Sequence, residues 1–486
     1  MNALQQALNA GHFVCVLEVI PQPAKQHWVA VAPMLQRGHL GDWPLVPALA
    51  DRVGPHTAMS PLAGAQALGY PPSALLHFSG KAHEQADLLQ CMADMQANGL
   101  NQLLLLTGDR LNGHQPSQAP VRYLESVPAL QIARAFGPDW LLGAALNPFK
   151  YREEDGSAQY LKAQKKLKAG ADFLTLQLGF DTEKHHEAMT WMSRQAAPKP
   201  LLACVMRLTH KRSKALQSVP GVVITPSMQQ LLAHEEQQSP DFARARSFDR
   251  LALQILGLQW MGYAGIHLSG VHHMDELLAL EQCLATWRER MGSLQEWQQH
   301  WRASWQLEGA PTVHFSPEIN TWAFGQSTIS ASRGERLRYR LFSLMHRLFF
   351  NRTGVLSKAF GWVMTRPFWQ TKNAAQALHS VERAIKRPLL GCDTCGTCRL
   401  QDTLYVCPET CPKGLANGPC GGTHLNRCEF GDRECIHSIK YRIGKATQQL
   451  PVLSEQLIPC INVDDRHRSS WPQWFDPQNQ QPPSAP

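Results

Sequence analysis

Short apolar runs alternate with longer amphipathic stretches over the first 275 residues. The runs are FVCVLEVI (13–20), PLVPAL (44–49), ALLHFS (74–79), QLLLLTG (102–108), WLLGAAL (140–146), DFLTLQL (172–178), LLACVMRL (201–208) and GIHLSG (265–270). Continuous apolar runs of this length predict strands buried on both faces, as in a parallel sheet. The second run is the weakest, because Pro44 and Pro47 interrupt it. Helical periodicity lies between several of them. In AHEQADLLQCMADMQANG the spacing puts Ala86, Leu89, Cys91 and Met92 on one face, with Gly99 as the stop. In AQYLKAQKKLKAGAD it puts Leu161, Gln164 and Leu167 together, and Gly170 ends the helix. Eight strands alternating with helices predict an α/β fold, a (β/α)8 TIM barrel over 1–275. The extra apolar run VPGVVITP (219–226) reads as a loop or helix entry.

The pattern changes over 276–390, which reads as a helical connector. MDELLALEQCLATWRERMGSLQEWQQHW is a long helical stretch, and TVHFSPEINTWAFGQSTISASRGE is irregular. LRYRLFSLMHRLFFNRTGVLSKAFGWVMTRPFW is basic and amphipathic. Such a stretch either packs its apolar face on its own protein or meets an anionic membrane surface or a partner. A cysteine-rich module follows over 391–445. Residues 446–486, ending DPQNQQPPSAP, form a tail whose Pro- and Gln-rich composition predicts partial disorder.

Composition narrows the function classes. The formal charge of +8 is modest for 486 residues and does not call for a nucleic-acid partner. The N-terminus lacks the basic and apolar regions of a signal peptide, and no apolar run is long enough for a membrane span, so a cytoplasmic location is expected. Disulfides are rare there. Eight of the thirteen cysteines, Cys392, Cys395, Cys398, Cys407, Cys411, Cys420, Cys428 and Cys435, then read as metal ligands before they read as bridges. The two overlapping C-x-x-C steps suit a [4Fe-4S] cluster or tetrahedral zinc equally well, and eight thiolates could close two four-ligand sites or one with spares.

In a parallel barrel the chemistry lies at the C-terminal ends of the strands. That rule selects Glu18 on the first strand, His77 on the third, Asp109 after the fourth, Asn147 after the fifth, Gln177 on the sixth, and Ser269, His272 and His273 at the eighth. A carboxylate in a buried strand is costly without a partner, and burial raises its pKa toward the range of a general acid. Neither a Gly-x-Gly-x-x-Gly turn nor a Walker loop is present, so a nucleotide or flavin would bind at a barrel mouth.

FVCVLEVIP, MSPLAGAQAL, NQLLLLTGD, LGAALNPF and KLKAGADFLTLQLGFD, in this order, resemble the methylenetetrahydrofolate reductase family over roughly residues 12–275. The region around CPKGLANGPCGG resembles the C-terminal module of one bacterial and archaeal branch of that family. The resemblance implies a flavin-binding barrel, with FAD or FMN, that reduces 5,10-methylenetetrahydrofolate to 5-methyltetrahydrofolate. It implies Glu18 as proton donor, Asp109 beside flavin and pterin, Gln177 against the folate pterin, His77 at the flavin, and Lys166 at the flavin phosphate; Asn147, at its strand end, is a further cofactor-binding candidate. Three departures stand out: VIPQPAK replaces the usual Phe-Pro-Pro-Lys, Thr107 stands where an arginine is common, and VMRLTHKRSKAL offers no nicotinamide-stacking aromatic. The electron donor is therefore open between NAD(P)H and a one-electron carrier protein feeding a metal in the module. The alternatives are a non-catalytic or electron-transfer subunit of a larger complex, and a folate-dependent methyl-transfer partner.

Overall fold

The computed structural model describes residues 3–21, 30–51, 59–110, 123–317, 329–351 and 353–476. Eight parallel strands form a closed barrel: β1 (Val14–Val19), β2 (Trp43–Leu49), β3 (Leu75–Ser79), β4 (Gln102–Leu106), β5 (Leu141–Leu146), β6 (Phe173–Leu176), β7 (Leu201–Met206) and β8 (Gly265–Ser269). Each strand pairs with its successor in sequence, and β1 closes the ring by pairing with both β2 and β8. This is the (β/α)8 architecture expected from the run pattern. The weak second run is a strand with a short seam: β2 pairs with β3 only at Ala48–Leu75 and Leu49–Leu76. Pro44 and Pro47 bring no N–H to a ladder. The run at 219–226 leads into the helix Pro226–Gln238, capped by Thr225.

Alternation along each strand sorts the barrel into two layers. Val14, Val16, Val46, Ala48, Leu75, Leu104, Leu141, Phe173 and Leu202 fill the lumen. Cys15, Leu17, Leu45, Leu76, Leu103, Leu142, Leu174 and Ala203 face outward into the shell of helices. Gly143 is required here, since a Cβ on it would lie 2.3 Å from the Phe173 ring.

The helices differ from their sequence reading in instructive ways. In Gln85–Ala97 the buried side chains are Leu88, Met92 and Met95, whereas Ala86 is exposed and Leu89 only half-buried. The inward face is thus one residue out of step with the expected one, although Gly99 ends the turn at φ +72° as expected. In Glu153–Lys168, Gln164 is exposed and Leu161 and Leu167 are half-buried, while Glu153, Asp155, Lys162, Lys165 and Lys166 are buried. The expected long helix after 275 is two, Met274–Arg290 and Leu294–Ser304, broken at Gly292–Ser293 where the Ser293 side chain caps the second. Trp297 on the second helix is buried and donates to the Leu253 carbonyl at 2.7 Å, so barrel packing extends past residue 275.

The connector's helices Arg333–Phe349, Val355–Met364 and Lys372–Leu390 lead into the cysteine module. Part of the irregular stretch, residues 318–328, lies outside the described residues. Of the tail expected to be partly disordered, the part up to Asp476 is described and carries regular structure. Leu450–Glu455 and Ser470–Phe475 are helical, and Leu453 and Ile458 are buried. Ile458 exchanges two hydrogen bonds of 2.8 Å with the Asn417 side chain. Apolar anchors and satisfied backbone groups outweigh the Pro-rich composition there. Residues 477–486 lie outside the described residues.

Candidate active site and cysteine module

Strand parity brings the candidate residues on β1, β3 and β6 to the same lumen. Glu18 follows Val14 and Val16 on the inward face of β1 and is half-buried at the mouth. His77 follows Leu75 on β3 and is buried, its ring 5.3 Å edge-on from the ring of His267 on β8. Nδ1 of His267 lies 3.4 Å from Sγ of Cys204 on β7. Burial pushes the His267 pKa down, partly opposed by the Glu18 carboxylate, and burial with the same carboxylate raises that of the Cys204 thiol. Glu18, His77, Cys204 and His267 therefore form a polar group above the apolar side chains of the lumen. Gln177 stands one residue beyond β6. Its backbone N–H donates to the Leu146 carbonyl, and its Oε1 accepts from Leu178 N at 2.8 Å.

Asp109 and Asn147 lie on the mouth loops, and both loops carry the cysteine module. Asp109 is exposed, with its carbonyl accepting from Tyr123 Oη at 3.1 Å. Next to it, Gly108 O accepts from Lys413 Nζ at 2.8 Å, and Arg110 N donates to Glu429 at 2.7 Å. Buried Asn147 donates from Nδ2 to Gly421 O at 2.7 Å and Gly221 O at 2.9 Å. Lys150 Nζ donates to the Gly421 and Thr423 carbonyls. Lys166 Nζ donates to the Ala145 carbonyl, and burial, reinforced by nearby Lys162, lowers its pKa to about 7. Ser269 is buried in β8, and His272 N donates to Glu276 at 3.2 Å.

The polar face of Glu153–Lys168 is the module's seat. Lys162 forms an ion pair of 2.8 Å with Glu125 and donates to the Gly418 and Pro419 carbonyls at 3.1 Å. Glu125 also accepts from Ala416 N at 3.0 Å and Asn417 N at 3.1 Å. Gln159 donates to Cys420 O at 2.8 Å, Thr423 Oγ1 to Asp155 at 2.5 Å, and Tyr441 Oη to Glu153 at 2.6 Å. Glu153, Asp155 and Lys162 on this buried face meet partners from the module, whereas Lys166 is held by the Ala145 carbonyl of the barrel.

The eight clustered cysteines are unbridged in the structure, as are the other five. They divide into two neighbourhoods. Cys392, Cys395, Cys398 and Cys407 line one small cavity with Lys386 and Gly396. Thr394 N donates to Cys392 Sγ at 3.4 Å, and Lys386 Nζ lies 3.6 Å from Cys398 Sγ. A hydrogen bond from Cys407 holds the Cys392 thiol down at about 7. Cys420 interacts electrostatically with Cys411, Cys428 and Cys435, in the loops facing the barrel. Among the described residues no three such groups stand close enough together to hold an ion directly. The donor chemistry still fits: each neighbourhood offers four thiols, and the first supplies an amide and an ammonium to a thiolate.

Two family models match the chain. One, methylenetetrahydrofolate reductase, covers residues 69–280. The other, methylene-tetrahydrofolate reductase C terminal, covers 371–464. Together they span more than half of the chain, in the order barrel then module. The chain belongs to the methylenetetrahydrofolate reductase family. That membership makes it an oxidoreductase of folate-linked one-carbon chemistry. No curated protein matches it. Among solved structures, it is similar to 2,3-dimethylmalate lyase, a PEP mutase/isocitrate lyase superfamily member, at 14% identity and a TM-score of 0.34. That match covers 60% of this chain and 86% of that one and is too slight to carry an argument.

Several residues of this reductase-family site escape a sequence reading. His267 and Cys204 are legible in hindsight, since both occupy inward positions in GIHLS and LLACVM. Glu125, Lys162, Lys413 and Glu429 carry no local signal, because the Glu125–Asn417 and Lys413–Gly108 contacts join residues 292 and 305 positions apart.

Proposed function

We propose that this chain reduces 5,10-methylenetetrahydrofolate to 5-methyltetrahydrofolate with a bound flavin, FAD or FMN. The observation that carries the reading is the placement of Glu18, a lumen-facing carboxylate at the end of β1. It is joined by the polar group of His77, Cys204 and His267. Two buried atoms in the lumen, His267 Nε2 and Thr175 Oγ1, have no hydrogen-bond partner among the described residues. Such orphaned polar groups fit a site that receives a polar ligand. A bound flavin would supply the hydride for the folate methylene carbon.

In this reading Glu18 donates the proton that opens the imidazolidine ring at its departing nitrogen. Gln177, at the rim, presents its amide to the pterin. His77 and Asp109 would hold the flavin. Asn147 is already engaged by the Gly221 and Gly421 carbonyls and braces the mouth loops, and Lys166 is engaged by the Ala145 carbonyl of β5 in place of the flavin phosphate contact that the resemblance implies. Replacing Glu18 by Gln preserves its shape and removes the proton. Reductase turnover should fall by about 10²–10⁴-fold, the usual share of general acid catalysis. Unchanged turnover in a folded variant would remove Glu18 from the mechanism.

The position of Cys420 favours electron entry through the module. Its carbonyl is bound by Gln159 and that of the next residue by Asn147, at the barrel mouth. Iron–sulfur ligation there would admit a one-electron carrier protein as donor, whereas zinc would confine the module to a structural role. Absorption and metal analysis of the isolated protein decide between them: zinc without iron ends the electron-entry reading.

A further inference from the structure

The connector helices expose an unusual surface. Among the described residues sixteen large apolar side chains are exposed, and twelve of them fall between Leu337 and Leu389. Leu337, Leu341, Leu344 and Leu348 recur at helical spacing, forming one stripe along Arg333–Phe349. Trp362 and Phe368 are each 64% exposed. The opposite side of the same helix is the one that packs: Tyr339 lies edge-on to Tyr405 at 5.6 Å, and His346 meets Trp474 edge-on at 5.5 Å. The exposed stripe is therefore not the helix's core-facing side.

Charge singles out the same surface. Residues 333–390 contain twelve Lys and Arg against two acidic residues, a formal +10, while the whole chain carries +8 and the remainder therefore nets −2. Neither acid offsets the surface: Glu335 is paired with Arg442, and Glu382 is buried against Lys386. Arg336, Arg340 and Arg347 each precede an exposed leucine by one position and flank the stripe. The Arg366 guanidinium covers the exposed Trp362 ring at 3.6 Å. Leucine and tryptophan beside arginine, with no free carboxylate among them, is the composition of a helix lying in a lipid interface. No helix among the described residues is long and apolar enough to cross a membrane, so contact along the surface is the mode available.

We propose that the surface formed by Arg333–Phe349 and Val355–Met364 binds anionic phospholipid membranes, with the leucine stripe and Trp362 entering the interface and the arginines meeting headgroup phosphates. The test is sedimentation of the full chain with vesicles of phosphatidylcholine containing phosphatidylglycerol, against vesicles of phosphatidylcholine alone. Binding is expected only to the anionic vesicles and should weaken as salt rises. A Leu341→Glu/Trp362→Glu variant should reduce the bound fraction by about tenfold or more, since it removes two apolar anchors and places two negative charges against the anionic surface. Both positions are exposed, so circular dichroism should show an unchanged fold. Arg336→Glu/Arg340→Glu provides an independent reading of the electrostatic part. Failure to bind, equal binding to neutral vesicles, or binding untouched by both variants overturns the proposal. So does a stable dimer that Leu341→Glu dissociates, which would assign the surface to a second copy of the chain, or an acidic protein partner that displaces the vesicles.

Discussion

Lys413 and Glu429 are each nearly sealed from solvent, and each is the other's counter-charge. Lys413 also holds the Gly108 carbonyl, one residue from Asp109, so a residue of the cysteine module fixes a mouth loop of the barrel. Burial alone would deprotonate this lysine, but Cys420 and Glu429 keep its pKa raised. Lys413→Met should leave a buried carboxylate unpaired and cost about 3–5 kcal/mol, read as a lowered thermal midpoint. Adding Glu429→Gln to it should recover part of the loss, because the stranded charge is then gone. If the single variant melts like the parent, the pair is not holding the loop. Inside the barrel the limit is steric. Gly143→Ala would drive a methyl into Phe173, and overpacking of this kind costs about 1–3 kcal/mol. Equilibrium denaturation measures it, and an unchanged midpoint would mean the lumen is looser than the contacts indicate.

At the scale of elements, the helix Glu153–Lys168 couples the barrel to the module, and Glu125 is the titratable centre of that seam. Burial alone would raise the Glu125 pKa, but Lys162 and the Asn417 and Ala416 amides lower it to about 2 from an ordinary 4.5. A depressed carboxylate contributes stability that is complete above 4.5 and disappears as pH falls toward 2. Protection factors at residues 153–168, that is, exchange relative to the intrinsic rate at each pH, should therefore fall as the solution is acidified through that window. Glu125→Gln should remove that part of the pH dependence; an identical profile in the variant would place the acid sensitivity elsewhere. The seam also shows where sequence reading stops. The eight strands were legible because a strand buried on both faces is locally apolar, and Glu18, His77 and Gln177 were legible as exceptions to that rule. The buried face of Glu153–Lys168 was not, because its lysines and carboxylates read as a solvated surface until partners more than 250 residues away meet them. The leucine–glutamine face assigned to it by periodicity lost to those long-range charge pairs.

For the whole molecule, the cysteine arrangement makes a stoichiometric claim that spacing alone left open between one site and two. The first four cysteines share a cavity beside Lys386 on the connector side. The last four influence one another and lie against the barrel, with Cys420 held by Gln159. If both neighbourhoods bind metal, they would form two separate four-thiolate centres, each removable without the other. Cys392→Ser/Cys395→Ser should lower the metal content per chain by about half and leave the Asn147–Gly421 contact intact, because four thiolates are the full complement of each centre. Cys420→Ser/Cys435→Ser should lower it by about the same amount and also loosen residues 147–151, seen as faster hydrogen exchange there, because that centre's loops are the ones bonded to the mouth. Loss of all metal from either double variant would mean a single shared centre. Equal loosening of the mouth in both would mean that the module transmits its folding as one body, and the nearer centre would then have no privileged line to the barrel.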